Sequence, residues 1–223
     1  LIDKGTNKHV SILRVIRDLI VRSKDVRFEG NGYGEAWKEE AAKRGLPNIT
    51  DTPRALDAWQ EQATVNLFHG MGVLSGKEMK ARHEIELHNY TLKVQIESRV
   101  CADMAINHVL PAAVQYQNRL IQNVQGLREV LGREEGDAAT VTQVELIRKI
   151  SRHMEQLRVL SKEMTNARKA ANILPEAREK AIAYCDEVKP YLDRIRYHSN
   201  KLELLVDDEL WPLPKMRELL FTR

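Results

Sequence analysis

Apolar residues recur at three- and four-residue steps along most of this chain, the period of a helix with one buried face. Val10, Leu13, Ile16 and Ile20 form the first such stripe and predict an amphipathic helix over 9–24. Val26 to Phe28 reads as a short extended stretch. It leads into Gly30-Asn31-Gly32-Tyr33-Gly34, whose glycines permit positive φ and a tight reversal. A short helix over 35–44 has an acid at its start and Lys43 and Arg44 at its end, which suits the helix dipole; Gly45 and Pro47 stop it. Thr52 before Pro53 is the pattern of an N-cap with proline at the first helical position. The helix it opens carries Leu56, Trp59, Val65 and Phe68 until Gly70 and Gly72 break it.

The second part of the chain has longer periods. Ser75 and Glu78 are spaced as a capping box, and only Pro111 strongly interrupts the helical pattern from there to Gly132. Apolar residues resume at once after Pro111, so the proline is expected to kink one helix near 107–111 and not to separate two. At 1.5 Å per residue that element is on the order of 80 Å long, so it must project or pack lengthwise on other helices. Gly132 to Asp137 reads as a polar turn. A helix over 138–172 follows, with Ile147, Ile150, Met154, Leu157, Ser161 and Met164 in three-four rhythm, ended by Leu174-Pro175. The last long helix has the cleanest seam: Ala181, Cys185, Val188, Leu192, Ile195, Ser199, Leu202 and Val206, with Pro190 bending it mildly. Leu192, Ile195 and Leu202 are expected to be buried against the two preceding helices. The fold class is therefore all-α: long kinked helices in an antiparallel, coiled-coil-like bundle over 75–209, preceded by short helices over 1–74. The tail at 210–223, with Leu210-Trp211-Pro212-Leu213-Pro214, is expected to pack on a neighbouring surface before a final short helix to Phe221.

Composition agrees. Charged residues make up 30% of the chain and aromatics 5%, a balance that favours long solvated helices over sheets. A net charge of +3 is too small to imply a nucleic-acid partner. No stretch approaches the ~20 apolar residues of a membrane span, and no basic-then-apolar leader is present, so neither nucleic acid nor membrane is an expected partner. Cys101 and Cys185 lie among apolar helical neighbours and read as buried free thiols of a reducing cytoplasm. Leu1, with neither Met nor a helix cap ahead of it, reads as the start of a piece of something longer.

Chemistry-bearing motifs fail on spacing. His83 and His88 flank two glutamates, but a zinc helix needs histidines four apart, and five residues place them about 140° apart around the axis. Glu84 and His88 share a face and read as a solvated pair. The glycines at 30–34 precede a helix as a phosphate loop would, yet the Lys-Ser/Thr of such a loop is missing and Glu35 would repel phosphate. The stretch from Arg148 to Lys180 is rich in Lys and Arg but has no aromatic residue to stack a base, so it reads as a solvated helix face. No nucleophile–base pair stands out. No catalytic, cofactor-binding or metal-binding residue is assigned in 1–223.

Four stretches nonetheless carry a resemblance. Arg27-Phe28-Glu29-Gly30-Asn31-Gly32-Tyr33 with Trp37 and Lys43-Arg44-Gly45-Leu46, then Thr52-Pro53-Arg54-Ala55-Leu56-Asp57-Ala58 with Arg82-His83-Glu84-Ile85, resemble the segment closing the catalytic domain of type III glutamine synthetases. Asn107-His108-Val109-Leu110-Pro111-Ala112-Ala113-Val114 and Leu210-Trp211-Pro212-Leu213-Pro214-Lys215 resemble the extra C-terminal region of those enzymes. The resemblance implies that 1–74 ends a catalytic domain lying mainly upstream. It also implies a full-length enzyme that uses ATP, with magnesium or manganese, to phosphorylate glutamate and let ammonia displace the phosphate. The family's ATP, metal and substrate motifs have no counterpart in 1–223, so this segment alone is expected to be inactive. Its implied partners are the upstream catalytic domain and other subunits of a cytoplasmic homo-oligomer. The alternative is a self-standing helical scaffold or adaptor with no enzyme attached.

Overall fold

In a computed structural model of the chain, residues 7–215 and 218–220 are described; Phe221, the expected end of the last helix, lies outside them. Backbone contacts divide the chain into two compact units, Leu1–Thr50 and Asp51–Arg223. Among the described residues every regular element is helical.

In the first unit, α1 (Lys8–Arg22) starts at Asn7, whose side chain accepts from the His9 amide. The expected extended stretch is displaced: Lys24–Val26 is one tight 3₁₀ turn, because the Val26 and Arg27 amides bond back to Ser23 and Lys24, and extended backbone starts at Arg27. Arg44, at the end of α2 (Glu35–Lys43), gathers that turn. Its guanidinium donates to the carbonyls of Lys24, Asp25 and Arg27, its Nε donates to Glu40, and it lies over the Trp37 ring. Trp37 in turn packs on Phe28 with ring centres 4.6 Å apart. The glycine cluster works differently from the expectation, since Gly30, Gly32 and Gly34 are not in the left-handed region. Gly30 is needed for closeness instead: a Cβ there would sit 2.5 Å from the Phe28 ring.

The second unit opens with α3 (Thr52–Ala55), capped one residue earlier than expected. Asp51, not Thr52, accepts from the Arg54 amide, leaving Thr52 and Pro53 in the first turn. The single helix predicted here is broken. A 3₁₀ segment, Leu56–Gln60, and an extended Glu61 intervene before α4 (Gln62–Gly70). This break lets Trp59 stack on Phe68, ring centres 6.1 Å apart.

Ser75 and Glu78 form the capping box of the first long arm, α5 (Gly76–Met104). The arm continues without a break through a π turn (Ala105–Val109) into α6 (Leu110–Leu131), so Pro111 does not end it. Proline has no N–H and crowds the previous turn. The chain answers by having the Leu110 amide bond five residues back to Ala105, one register wider than an α-helix. The third arm repeats the device. α9 (Ala177–Ala183) passes through a π turn (Tyr184–Val188), whose closing amide, that of Lys189, bonds to Tyr184 just before Pro190, into α10 (Lys189–Leu205).

Between these arms, the residues expected to be a polar turn form a short helix, α7 (Arg133–Ala139). Gly132, at φ 81°, makes the reversal alone. Gly136 has no Cβ to strike the Arg128 backbone, so α7 folds tightly onto α6, where Arg128 pairs with Asp137 at 2.6 Å. The second arm, α8 (Val141–Ile173), then runs back.

Cross-links give the register. Gln117 on the first arm donates to the Ile147 carbonyl and the Ser151 hydroxyl on the second. Farther along, Gln95 donates to Asn172 and to the Tyr184 hydroxyl, which itself donates to Asn172 at 2.7 Å. Arg119 pairs with Asp207 just beyond the third arm. The second arm is therefore antiparallel to the first, and the third parallel to it. Tyr184, fully buried at the knot where all three meet, is the largest side chain of the core. Ala181, Val188, Ile195, Leu202 and Val206 of the predicted seam are buried, while Leu192 and Cys185 are only half-buried. Leu192 stands on the edge of a groove. Trp211 is buried and Leu210 and Leu213 pack on the core, so the tail docks as expected; Glu218–Leu220 is a single 3₁₀ turn.

Candidate functional site

The residues that could do chemistry gather where the second unit begins. The break after α3 turns Arg54 and Asp57 towards the third arm. There Arg54 makes two hydrogen bonds to Asp186, at 3.1 and 2.7 Å, and Arg178 makes two to Asp57, at 2.7 and 2.6 Å. His83, buried on the first arm, puts Nε2 3.7 Å from Asp57 Oδ1, beyond hydrogen-bond reach. Asp51 completes the group with a 3.1 Å bond from Arg54. These six side chains come from three stretches of chain.

The electrostatics follow from the forks. Arg178 holds the Asp57 carboxyl below the usual carboxylate range, and Arg54 does the same to Asp186. Asp186, then Asp51, raise the Arg54 guanidinium in return. Carboxylates kept ionised and occupied by two donors are poor proton acceptors at neutral pH. The group therefore acts as a clasp, joining the 3₁₀ segment to the arms. Among the described residues no three His, Cys, Asp or Glu side chains are placed to hold a metal ion.

The sequence motifs remain apart. His83 is buried beside Asp57 while His88 and Glu84 are exposed. Cys101 and Cys185 are free thiols, half-buried rather than fully buried, and burial pushes the Cys101 thiol up, away from the thiolate form a nucleophile needs. No described helix is long and apolar enough to cross a membrane. The clasp was missed because its partners lie 121 and 132 residues apart, so no local spacing announces them.

Two surfaces are better developed than any chemical centre. On α1, Ile12, Leu13, Val15, Ile16, Leu19 and Ile20 form one apolar arc and all are exposed, from 43% for Ile12 to 66% for Leu13; only Ser11 of the helix is buried. An apolar groove of about 650 Å³ runs between the first and third arms, walled by Ile96, Val100, Met104, Leu192 and Leu213.

The family described as "Glutamine synthetase C-terminal domain" matches residues 11–128. A glutamine synthetase of Bacteroides fragilis is 46% identical over all of this chain, which spans 31% of that protein. A glutamine synthetase of Butyrivibrio fibrisolvens is 28% identical over 98% of this chain and 31% of its own length. A type-3 glutamine synthetase of Dictyostelium discoideum is 27% identical over 99% of this chain and 30% of its own. The chain thus spans less than a third of these relatives.

Proposed function

The chain belongs to the glutamine synthetase C-terminal domain family, and on that premise we propose that it serves as the structural and oligomer-contacting end of an enzyme that ligates ammonia to glutamate with ATP. Residues 1–74 complete the catalytic domain; 75–209 form a bundle that projects from it; 210–223 fasten the bundle's end. The nucleotide, its magnesium or manganese and the reacting groups are held by the other two-thirds of the enzyme, and residues 1–223 supply no catalytic side chain.

The observation that carries this reading is the α1 arc. Six large apolar residues on one face, all open to water, are what a helix looks like when the surface it packs on lies elsewhere in the polypeptide. The groove beside Ile96 and Val100 supports contact with another copy in the same way.

Hydrogen exchange tests the proposal. With the remainder of the enzyme attached, the α1 amides should exchange far more slowly than in the 223-residue chain, and only the longer protein should form glutamine. Equal α1 exchange in both proteins refutes the docking, and glutamine formed by the 223-residue chain refutes the division of labour.

A further inference from the structure

On the opposite side of the first arm from that groove, a polar cleft of about 390 Å³ lies against the second arm. Its floor is Ala102 and Ile106, and Ile106 belongs to the π turn that Pro111 forces on the helix. Its rim is a stripe on α8: Arg158, Lys162 and Lys169, at spacings of four and seven, share a face. These bases are the middle of the Lys- and Arg-rich stretch that the sequence presents as a solvated face. No acidic residue lines the cleft, and among the described residues neither lysine is within ion-pair distance of a carboxylate. Arg158 is steered by Glu155, which takes two of its donors, at 3.2 and 2.9 Å, and leaves the rest of the fork available.

The bottom of the cleft holds the decisive atom. Ser161 is 4% exposed and its hydroxyl has no hydrogen-bond partner. Buried polar groups are nearly always paired, and each exception needs a reason. The usual remedy, donation to its own helix, is not made; one turn on, Thr165 makes that bond, donating to the Ser161 carbonyl at 2.8 Å. Thr165 is thereby turned so that its oxygen lone pairs, not its proton, are spare. Ser161 is left as a neutral donor beneath three cations.

We propose that this cleft binds a small doubly charged oxyanion, of which inorganic phosphate is the simplest. The cations supply charge, Ser161 supplies a directed donor, and the apolar floor excludes water from one side. The lining has no aromatic ring to stack a base, which argues against a nucleotide. This inference is independent of the proposed role in glutamine synthesis.

Titration of the chain with inorganic phosphate, followed by amide resonances against a chloride control of equal ionic strength, decides it. Saturable shifts at Ser161, Lys162 and Thr165 are expected. Lys162→Glu with Lys169→Glu should weaken binding by about tenfold or more, because two charge-assisted contacts reverse sign. Ser161→Ala should weaken it by about threefold to tenfold while leaving the melting temperature unchanged or higher, since it deletes an unpaired buried hydroxyl. A response that chloride reproduces, or one that the Lys162/Lys169 double variant retains, overturns the proposal. So does AMP binding more tightly than phosphate.

Discussion

α1 and the third arm read alike in sequence and end oppositely. Each carries an apolar stripe at helical spacing, and neither stripe is interrupted by a charge. On the third arm Ala181, Val188, Ile195 and Leu202 are almost wholly removed from water, while on α1 Leu13 and Leu19 remain more than half exposed. Amphipathic periodicity therefore reports that a helix has a partner, not where the partner is. The third arm finds its partner within the chain, because two other arms of matching length lie beside it. α1 has only a short turn and α2 in its own unit, too little to cover a stripe of that width.

The sharpest way to break this contrast is to truncate the seam. Leu202 is fully buried, so Leu202→Ala should cost about 2–5 kcal/mol through lost transfer energy and the cavity left behind. Leu192→Ala should cost visibly less, since Leu192 is half-buried at the groove edge, and Asp193→Ala, on the exposed face, should cost little. Chemical denaturation of the three variants ranks them. Equal midpoints would mean that the seam is no more a core than α1 is.

A smaller effect separates two glycines of one hairpin. A Cβ at Gly136 would lie 2.6 Å from Arg128 Cα, so Gly136→Ala must push α7 from α6 at a cost of about 1–3 kcal/mol. Gly126 is mid-helix with nothing within 4 Å of its would-be Cβ, and Gly126→Ala should gain roughly 0.5–1 kcal/mol. Thermal melts of the pair should move in opposite directions; parallel shifts would show that the hairpin is not tightly packed.

These residues also mark how far the sequence could be read. The capping box, the arms, the continuity through Pro111 and the docked tail follow from local rules that neighbours i to i+4 obey. Three features did not follow. The α7 helix depends on a close crossing with Arg128, which in a sequence shows only as a glycine among polar residues. The Arg54–Asp186 and Arg178–Asp57 forks, and the Gln95–Asn172–Tyr184 knot, join residues distant along the chain, and charged or amide side chains on helices offer too many equivalent pairings to choose among. The π turns were invisible because proline predicts strain, not the way the helix relieves it. Of function, the local pattern carried little; the motif resemblance carried the family, and no chemical centre emerged for either to locate.

Between the second and third arms the seam has a polar edge, where His153 and His198 bring their Nδ1 atoms to 2.9 Å. Burial lowers both pKa values, helped at His153 by His198, Lys201 and Arg152 and at His198 by Arg194. The folded state therefore resists protonation. Stability is complete above the ordinary histidine value of about 6.5 and falls as pH drops through it towards the lowered folded values. The Arg-paired carboxylates of the clasp begin to titrate only at more acidic pH. The melting temperature should decline modestly just below pH 6.5, and His153→Gln with His198→Gln should flatten that decline; a decline unchanged in the double variant places its origin elsewhere.

The smallest expected effect is on α1, and its size is the point. Ile16 lies at the middle of the arc and is 46% exposed, so Ile16→Ala removes a side chain that touches little within the chain. Surface substitutions of this kind usually change stability by no more than about 0.5 kcal/mol, and alanine's higher helix propensity offsets part of any loss. In the 223-residue chain the variant should therefore melt with the wild type. Attached to the remainder of the enzyme, the same substitution would open a cavity in an interface and should cost on the order of 2–4 kcal/mol, the range of a buried Ile or Leu truncation. Differential scanning calorimetry of both lengths gives four melting temperatures. Only a loss confined to the longer protein fits a stripe whose partner lies elsewhere in the polypeptide. A loss already present in the 223-residue chain would mean that α1 is buried within it, and the contrast with the third arm would disappear.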